Sequence, residues 1–157
     1  MDRDAEAHEL CEQVRNAFAA VTLGTGIGLF QGQAIDDYET EEVCLREREK
    51  DEKERWERIS SSHLNACHSS LSFFDPAGMR FHLPAFMIAD IKGEDRMGML
   101  VFALTSLDDY THNQFSLLNP AQRQAVREYL QFLKKGPDGE CYEDDIDQAL
   151  GGYWGKE

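Results

Sequence analysis

Basic residues are scarce in this chain of 157 residues: 16 Lys and Arg stand against 30 Asp and Glu, for a formal net charge of -14. That balance excludes nucleic acid as an expected target, because phosphate binding works by Lys and Arg displacing counterions, and it disfavours anionic membranes in the same way. Long apolar runs are missing too, and the start, MDRDAEAHELCEQ, has acids where a signal peptide needs bases followed by an apolar stretch. The expectation is a soluble, cytoplasmic protein with no membrane association. Cysteine is sparse and scattered: Cys11, Cys44, Cys67 and Cys141 contain no CxxC pair, so reduced thiols are expected and no structural zinc. No cofactor is expected. The length suits one domain, which would bury about 70% of the unfolded chain's surface in a single core.

What is present is mostly helical signal. Leu10, Val14, Ala17, Phe18 and Val21 fall at helical spacing and predict a first helix over Ala5 to Leu23, stopped by Gly24. GTGIGLFQGQ reads as a glycine-rich loop. Asp36 with Glu39 three residues later reads as a capping box, and helix is expected from Asp37 to about Ile59. The middle of that helix, REREKDEKER at 46–55, has no apolar position, which predicts a solvated stretch held by pairs such as Glu42 with Arg46, Glu49 with Lys53 and Asp51 with Arg55.

Serines at 60–62 cap a short segment, and Asp75-Pro76 opens a strongly apolar helix, FFDPAGMRFHLPAFMIAD, which Pro84 should kink. Residues 97–107, MGMLVFALTSL, fit either a buried helix or a short strand, and helix is preferred. Asn119-Pro120 opens an amphipathic helix to about Lys135 with Val126, Tyr129, Leu130 and Leu133 inward, and a last helix is expected from Asp144 to Trp154, exposed to breakage at Gly151-Gly152. The fold class is therefore mainly α, a compact single-domain helical bundle whose core is lined by Phe18, Phe74, Phe81, Phe86, Leu104 and Leu130.

The chain resembles a bacterial family catalogued as domain of unknown function 6714. The resemblance runs from about Leu10 to Leu133 and rests on AFAAV, GTGIGL with AIDDY, SSLSFFDPAGMRFHLPAFMIAD and QFSLLNPAQRQAVREYLQFL. It implies a mostly helical domain and supplies no catalytic residues.

Candidate chemistry is thin. GTGIG follows a helix rather than a strand, lacks the GxGxxG spacing and has no Lys-Ser/Thr, so it reads as a turn. His63, Cys67 and His68 cluster in sequence without the further ligands that zinc needs, and DGECYEDDID has glycine at the wrong position for a calcium loop. Arg80 and His82 lie among apolar neighbours. The default reading is a structural ion pair of Arg80 with Asp75, Asp108 or Asp109, and the alternative is a small hydrolase or metal-dependent enzyme using Arg80, His82 and Asp109.

Two acidic clusters remain as candidate partner-binding sites. One holds Asp36, Asp37, Glu39, Glu41 and Glu42. The other holds Asp138, Glu140, Glu143, Asp144, Asp145 and Asp147, with no base between Lys135 and Lys156. They suggest a non-enzymatic interaction module, similar to an immunity protein or an inhibitor, that engages a basic protein.

Overall fold

The computed structural model describes residues 2–156, and among them the regular structure is helical throughout. Nine α-helices follow in order: α1 (Arg3–Ala17), α2 (Leu29–Asp36), α3 (Glu41–Arg48), α4 (Ser61–Ala66), α5 (Pro76–Ile91), α6 (Met99–Thr105), α7 (Asp109–Gln114), α8 (Pro120–Lys134) and α9 (Gly139–Gly151). Single 3-10 turns at Trp56–Arg58, His68–Ser72 and Tyr153–Gly155 join or follow them.

Helix α5 forms the centre. Asp75 caps it by accepting from the Gly78 amide at 2.9 Å, Pro76 occupies the first turn, and twelve of its 16 residues are buried. A helix apolar on every face can be stable only when surrounded, and α1, α4, α7 and the Trp56–Arg58 turn pack against it. The helix continues through Pro84, which is itself buried and deprives the Arg80 carbonyl of the bond that residue 84 would donate. Around α5, α8 lies on α1 and α9 lies on α8 and α6. The expected core residues Phe18, Phe74, Phe81, Phe86, Leu104 and Leu130 are all buried.

The first helix is shorter than its periodicity predicts. It ends at Ala17, because its last carbonyls are taken by side chains from elsewhere: Gln122 Nε2 donates to Ala17 O at 3.2 Å and Trp56 Nε1 donates to Phe18 O at 3.1 Å. The chain then turns away through Ala20, which has a positive φ of 65°.

The next region departs further from expectation. The glycine-rich stretch contains the start of α2, and the residues read as one long helix are α3 followed by a tight reversal. Asp36 ends α2 rather than capping a helix, Tyr38 turns the chain at φ 60°, and Thr40 caps α3 through the Val43 amide. Of the expected surface pairs, Glu42 with Arg46 forms at 3.3 Å. Asp51 does not lie on a solvated face. It is 7% exposed and accepts from the amides of Phe30 at 2.6 Å and Gln31 at 3.2 Å, at the start of α2.

Gly28 allows this approach, since a Cβ there would lie 1.9 Å from Asp51 Oδ2. Gly32 similarly admits Ser70, whose hydroxyl donates to Leu29 O at 2.6 Å. Arg48 adds bonds from Nε to Gly26 O and from Nη2 to Gly24 O, and Lys53 O accepts from Leu23 N at 2.8 Å. The neutral charged run is therefore a strap over the glycine loop.

The ambiguous segment 97–107 is helix, α6, with Trp154 Nε1 donating to Leu104 O at 2.8 Å. The last helix begins at Gly139, five residues before Asp144, and Gly152 ends it. The chain end then returns to the core through Trp154, whose side chain is fully buried.

The strap yields a prediction. Asp51→Ala removes two charge-assisted bonds at a helix start and should cost about 2 kcal/mol, a fall in Tm of roughly 4–8 °C for a domain of this size. Exposed Glu49→Ala should leave Tm within roughly 2 °C. Calorimetry on both variants tests it, and equal melting temperatures would show that Asp51 does not hold the strap.

Candidate functional site

His82, on the central helix, has no access to solvent. Its ring is 0% exposed, stacked on Phe74 with centroids 4.3 Å apart and planes 3° from parallel, and edge-on to Phe81. Nδ1 lies 2.7 Å from Gly78 O, and because a carbonyl only accepts, Nδ1 carries the proton. Nε2 is left buried with no partner among the described residues. Burial holds the imidazole neutral and lowers its pKa to about 4, against small raising effects of the Gly78 bond and the Asp75 charge. This is the geometry of a core histidine.

Arg80 does not form the expected ion pair. It is partly exposed, it has no carboxylate within 4 Å among the described residues, and its buried Nε has no partner. Its stem can lie on apolar surface while the charge reaches water, which removes the need for a buried counterion. Asp109 is exposed in the first turn of α7, and no hydrogen bond or ion pair joins any two of Arg80, His82 and Asp109 among the described residues.

The metal candidates do not converge either. His63 is exposed and edge-on to Phe30, whereas Cys67 is buried and its thiol is pushed up to about 11 by burial. Among the described residues no three His, Cys, Asp or Glu side chains are grouped so as to hold a metal ion. No helix there is long and apolar enough to cross a membrane. The glycine loop does lead to a helix N-terminus, where an anion would be favoured, but Asp51 of the chain itself occupies it.

The acidic clusters behave differently from each other. In the first, Glu41 and Glu42 sit in the first turn of α3, where a carboxylate favours the helix dipole, Glu42 pairs with Arg46, and Asp37 accepts from Gln33 at 3.2 Å. Local structure accounts for most of it, although Glu39 is exposed and Asp36 half-buried at the end of α2.

In the second, Asp138 precedes α9 and Glu140 lies in its first turn, but Glu143, Asp144, Asp145 and Asp147 continue along a helix that has no base in its last turn. Asp147 pairs with Lys134 of α8 at 2.6 Å. Glu140, Glu143, Asp144 and Asp145 are exposed and have no cation within 4 Å among the described residues.

Sequence reasoning missed one arrangement. Between the starts of α1 and α6, the end of α5 and the α8–α9 junction lies a cavity of about 550 Å³ lined by Arg3, Asp90, Asp95, Arg96, Asp138 and Tyr142, among others. Asp90 accepts a short hydrogen bond from the hydroxyl of Tyr129, which is fully buried. Burial raises the Asp90 carboxyl pKa, the Tyr129 bond opposes this, and Asp95 and Asp138 add to the rise. Arg3, which also lines the cavity, is fixed 3.8 Å above the Phe132 ring and donates to Phe132 O. Asp90 and Tyr129 are 39 residues apart and belong to no motif, so the pair leaves no signal in the sequence beyond two polar positions on apolar helices.

A sequence model described as a family of unknown function, DUF6714, matches residues 6–157. The chain belongs to that family. The match extends past Leu133 through α9 and Trp154, in keeping with the packing of both into the common core. No curated protein and no solved structure matches the chain.

The state of His82 gives a pH dependence. Its folded pKa of about 4 lies below the ordinary 6.5, so between these values the unfolded chain binds more protons. The stability it contributes is complete above pH 6.5 and declines as pH falls to about 4, by roughly 3 kcal/mol over that window. His82→Phe, which keeps the stack on Phe74 and removes the orphan nitrogen, should unfold in urea within about 1 kcal/mol of the parent at pH 7. It should also lose that part of the slope. An unchanged slope would assign the acid sensitivity to other groups.

Proposed function

We propose that this chain is a non-enzymatic interaction module that binds a basic protein partner, of the kind that an immunity protein or regulatory inhibitor would be. The observation that carries the reading is the unpaired acid on α9. Asp144 and Asp145 lie beyond the first turn, where they gain nothing from the helix dipole, and they have no neighbouring cation among the described residues. Fold stability therefore does not account for them, and complementary charge on a partner does. Such charge speeds encounter and rejects partners of the wrong sign.

The partner surface assigned from the sequence narrows accordingly. Glu140, Glu143, Asp144 and Asp145 form its centre and Asp138 its edge, while Asp147 is committed to Lys134. Asp36, Asp37, Glu39, Glu41 and Glu42 are secondary. The alternative of a small enzyme working through His82 has the full enclosure of that ring against it. We place the protein in the cytoplasm, a reading supported by four free cysteines, three of them buried and none paired.

The test is kinetic. Asp144→Lys with Asp145→Lys should leave the fold intact and lower the association rate with a partner isolated from the native cell by roughly tenfold at low salt. The parent rate should fall towards that of the variant as salt rises, since exposed charges are screened beyond ~8 Å at physiological ionic strength. A partner whose association is indifferent to both changes would overturn the reading.

A further inference from the structure

The cavity at Asp90 holds charges that the fold leaves unbalanced. Four carboxylates line it, those of Asp4, Asp90, Asp95 and Asp138, against the two guanidinium groups of Arg3 and Arg96, and among the described residues none of these acids has a cation within 4 Å. Arg3 is engaged elsewhere: besides its bond to Phe132 O and its stack on the Phe132 ring, it lies so close to Gly136 that a Cβ there would be 2.2 Å from Nη2. Arg96 is exposed.

Local structure explains three of the acids. Asp4 sits in the first turn of α1, Asp138 immediately precedes α9, and Asp95 accepts from the Met97 amide at 3.0 Å. Asp90 has no such account, because it stands in the last turn of α5, where the helix dipole favours a cation and works against an acid. Its Oδ2 is taken by the hydroxyl of Tyr129, a wholly buried side chain that holds the carboxyl in place. Oδ1 accepts from no donor among the described residues and is not enclosed. Burial and the charges of Asp95 and Asp138 all act against an ionised Asp90, with the Tyr129 bond acting the other way. Stability does not call for the pair, since two apolar side chains in its place would leave no polar group to desolvate.

What this carboxylate lacks is a cation, and the cavity has room to admit one on a larger body. Its volume of about 550 Å³ falls within the range of small-molecule pockets, roughly 300–1,000 Å³, and Ile91, Val101 and Leu133 supply an apolar wall. We propose that the cavity binds a small organic amine, with its ammonium group on Asp90 Oδ1 and its apolar body against Ile91, Val101 and Leu133. An anion of the same size would meet the Asp90 carboxylate and the carbonyl end of α5. The site lies apart from Asp144 and Asp145, which do not line the cavity, and the inference does not rest on the partner reading.

Methyl-labelled protein titrated by NMR tests it, with phenylethylamine and hexylamine as probes and phenylpropionate, of similar body and opposite charge, as the control. The methyl signals of Ile91, Val101 and Leu133 should shift and saturate with an amine, with a Kd on the order of 1 mM or tighter, while those of Val43 on α3 stay still. Asp90→Asn keeps an acceptor for Tyr129 and removes the charge, so amine binding should weaken by about tenfold or more. Asp145→Asn, outside the cavity, should change it by less than roughly twofold at physiological salt. The methyl shifts of the parent decide the matter even if Asp90→Asn fails to fold. No saturable shift with either amine, phenylpropionate bound as tightly, or binding unchanged in Asp90→Asn overturns the proposal. So does an equal loss in Asp145→Asn, which would mean diffuse attraction to an acidic protein. None of these outcomes touches the partner reading, whose own test is the association rate.

Discussion

The amides at the start of a helix need acceptors, and where a helix begins inside a protein, water cannot supply them. In this chain two carboxylates meet that need. Asp75 accepts from Gly78 at the start of α5 and from Ile27 in the glycine loop, both at 2.9 Å, so one oxygen starts the central helix and pins the loop beside it. Asp51 does the same for α2 through Phe30 and Gln31. The loop is held from both sides, which is why four glycines between residues 24 and 32 can lie in ordered structure in spite of their conformational freedom. The central helix, buried along most of its length, depends on these elements to cover it.

Asp51 also shows how a buried acid can be stabilising and still uncomfortable. Burial raises its carboxyl pKa, while the two amides and the charges of Lys53 and Arg48 act the other way. Its net worth is the bonds made minus the water lost, so breaking it by truncation costs more than the site would cost if it were built apolar. The strap residues around it share the load: Arg48 ties to two loop carbonyls and Lys53 Nζ donates to Asp51 O at 2.9 Å.

Elements with local signals could be read from the sequence. Asp75-Pro76 and Asn119-Pro120 cap helices as their chemistry dictates, with Gln122 closing the second cap through Asn119 N, and the apolar spacing of α8 places Val126, Tyr129 and Leu130 inward. The strap could not be read, because a run of alternating charges gives no sign of which acid turns inward. That choice is made by amides about 20 residues away and by the space at Gly28. Arg80 and His82 looked alike among apolar neighbours but parted in the structure, the ring enclosed by Phe74 and the longer side chain reaching solvent. The cavity at Asp90 required α5, α8 and α9 to converge, which no local pattern announces.

The acidic character of α9 raises the question of what keeps such a helix in place. Its carboxylates repel one another, and it has no base of its own to offset them or to complement its carbonyl end. The cations come from α8. Lys134 pairs with Asp147, Arg123 donates to the carbonyls of Tyr153 and Lys156, and Arg127 donates to that of Trp154. Arg123 also lies over the Tyr153 and Trp154 rings, and Trp154 closes onto Leu104 of α6. Anchorage is thus placed at one flank and the far end. A helix stabilised only for its own sake would place Lys or Arg at i+4 from Glu140, Asp144 or Asp145, and this one places Asp144, Gln148 and Ala149 there. The cations that hold α9 therefore act on Asp147 and on the carbonyls that follow the helix, reaching it from α8 rather than from its own i+4 positions.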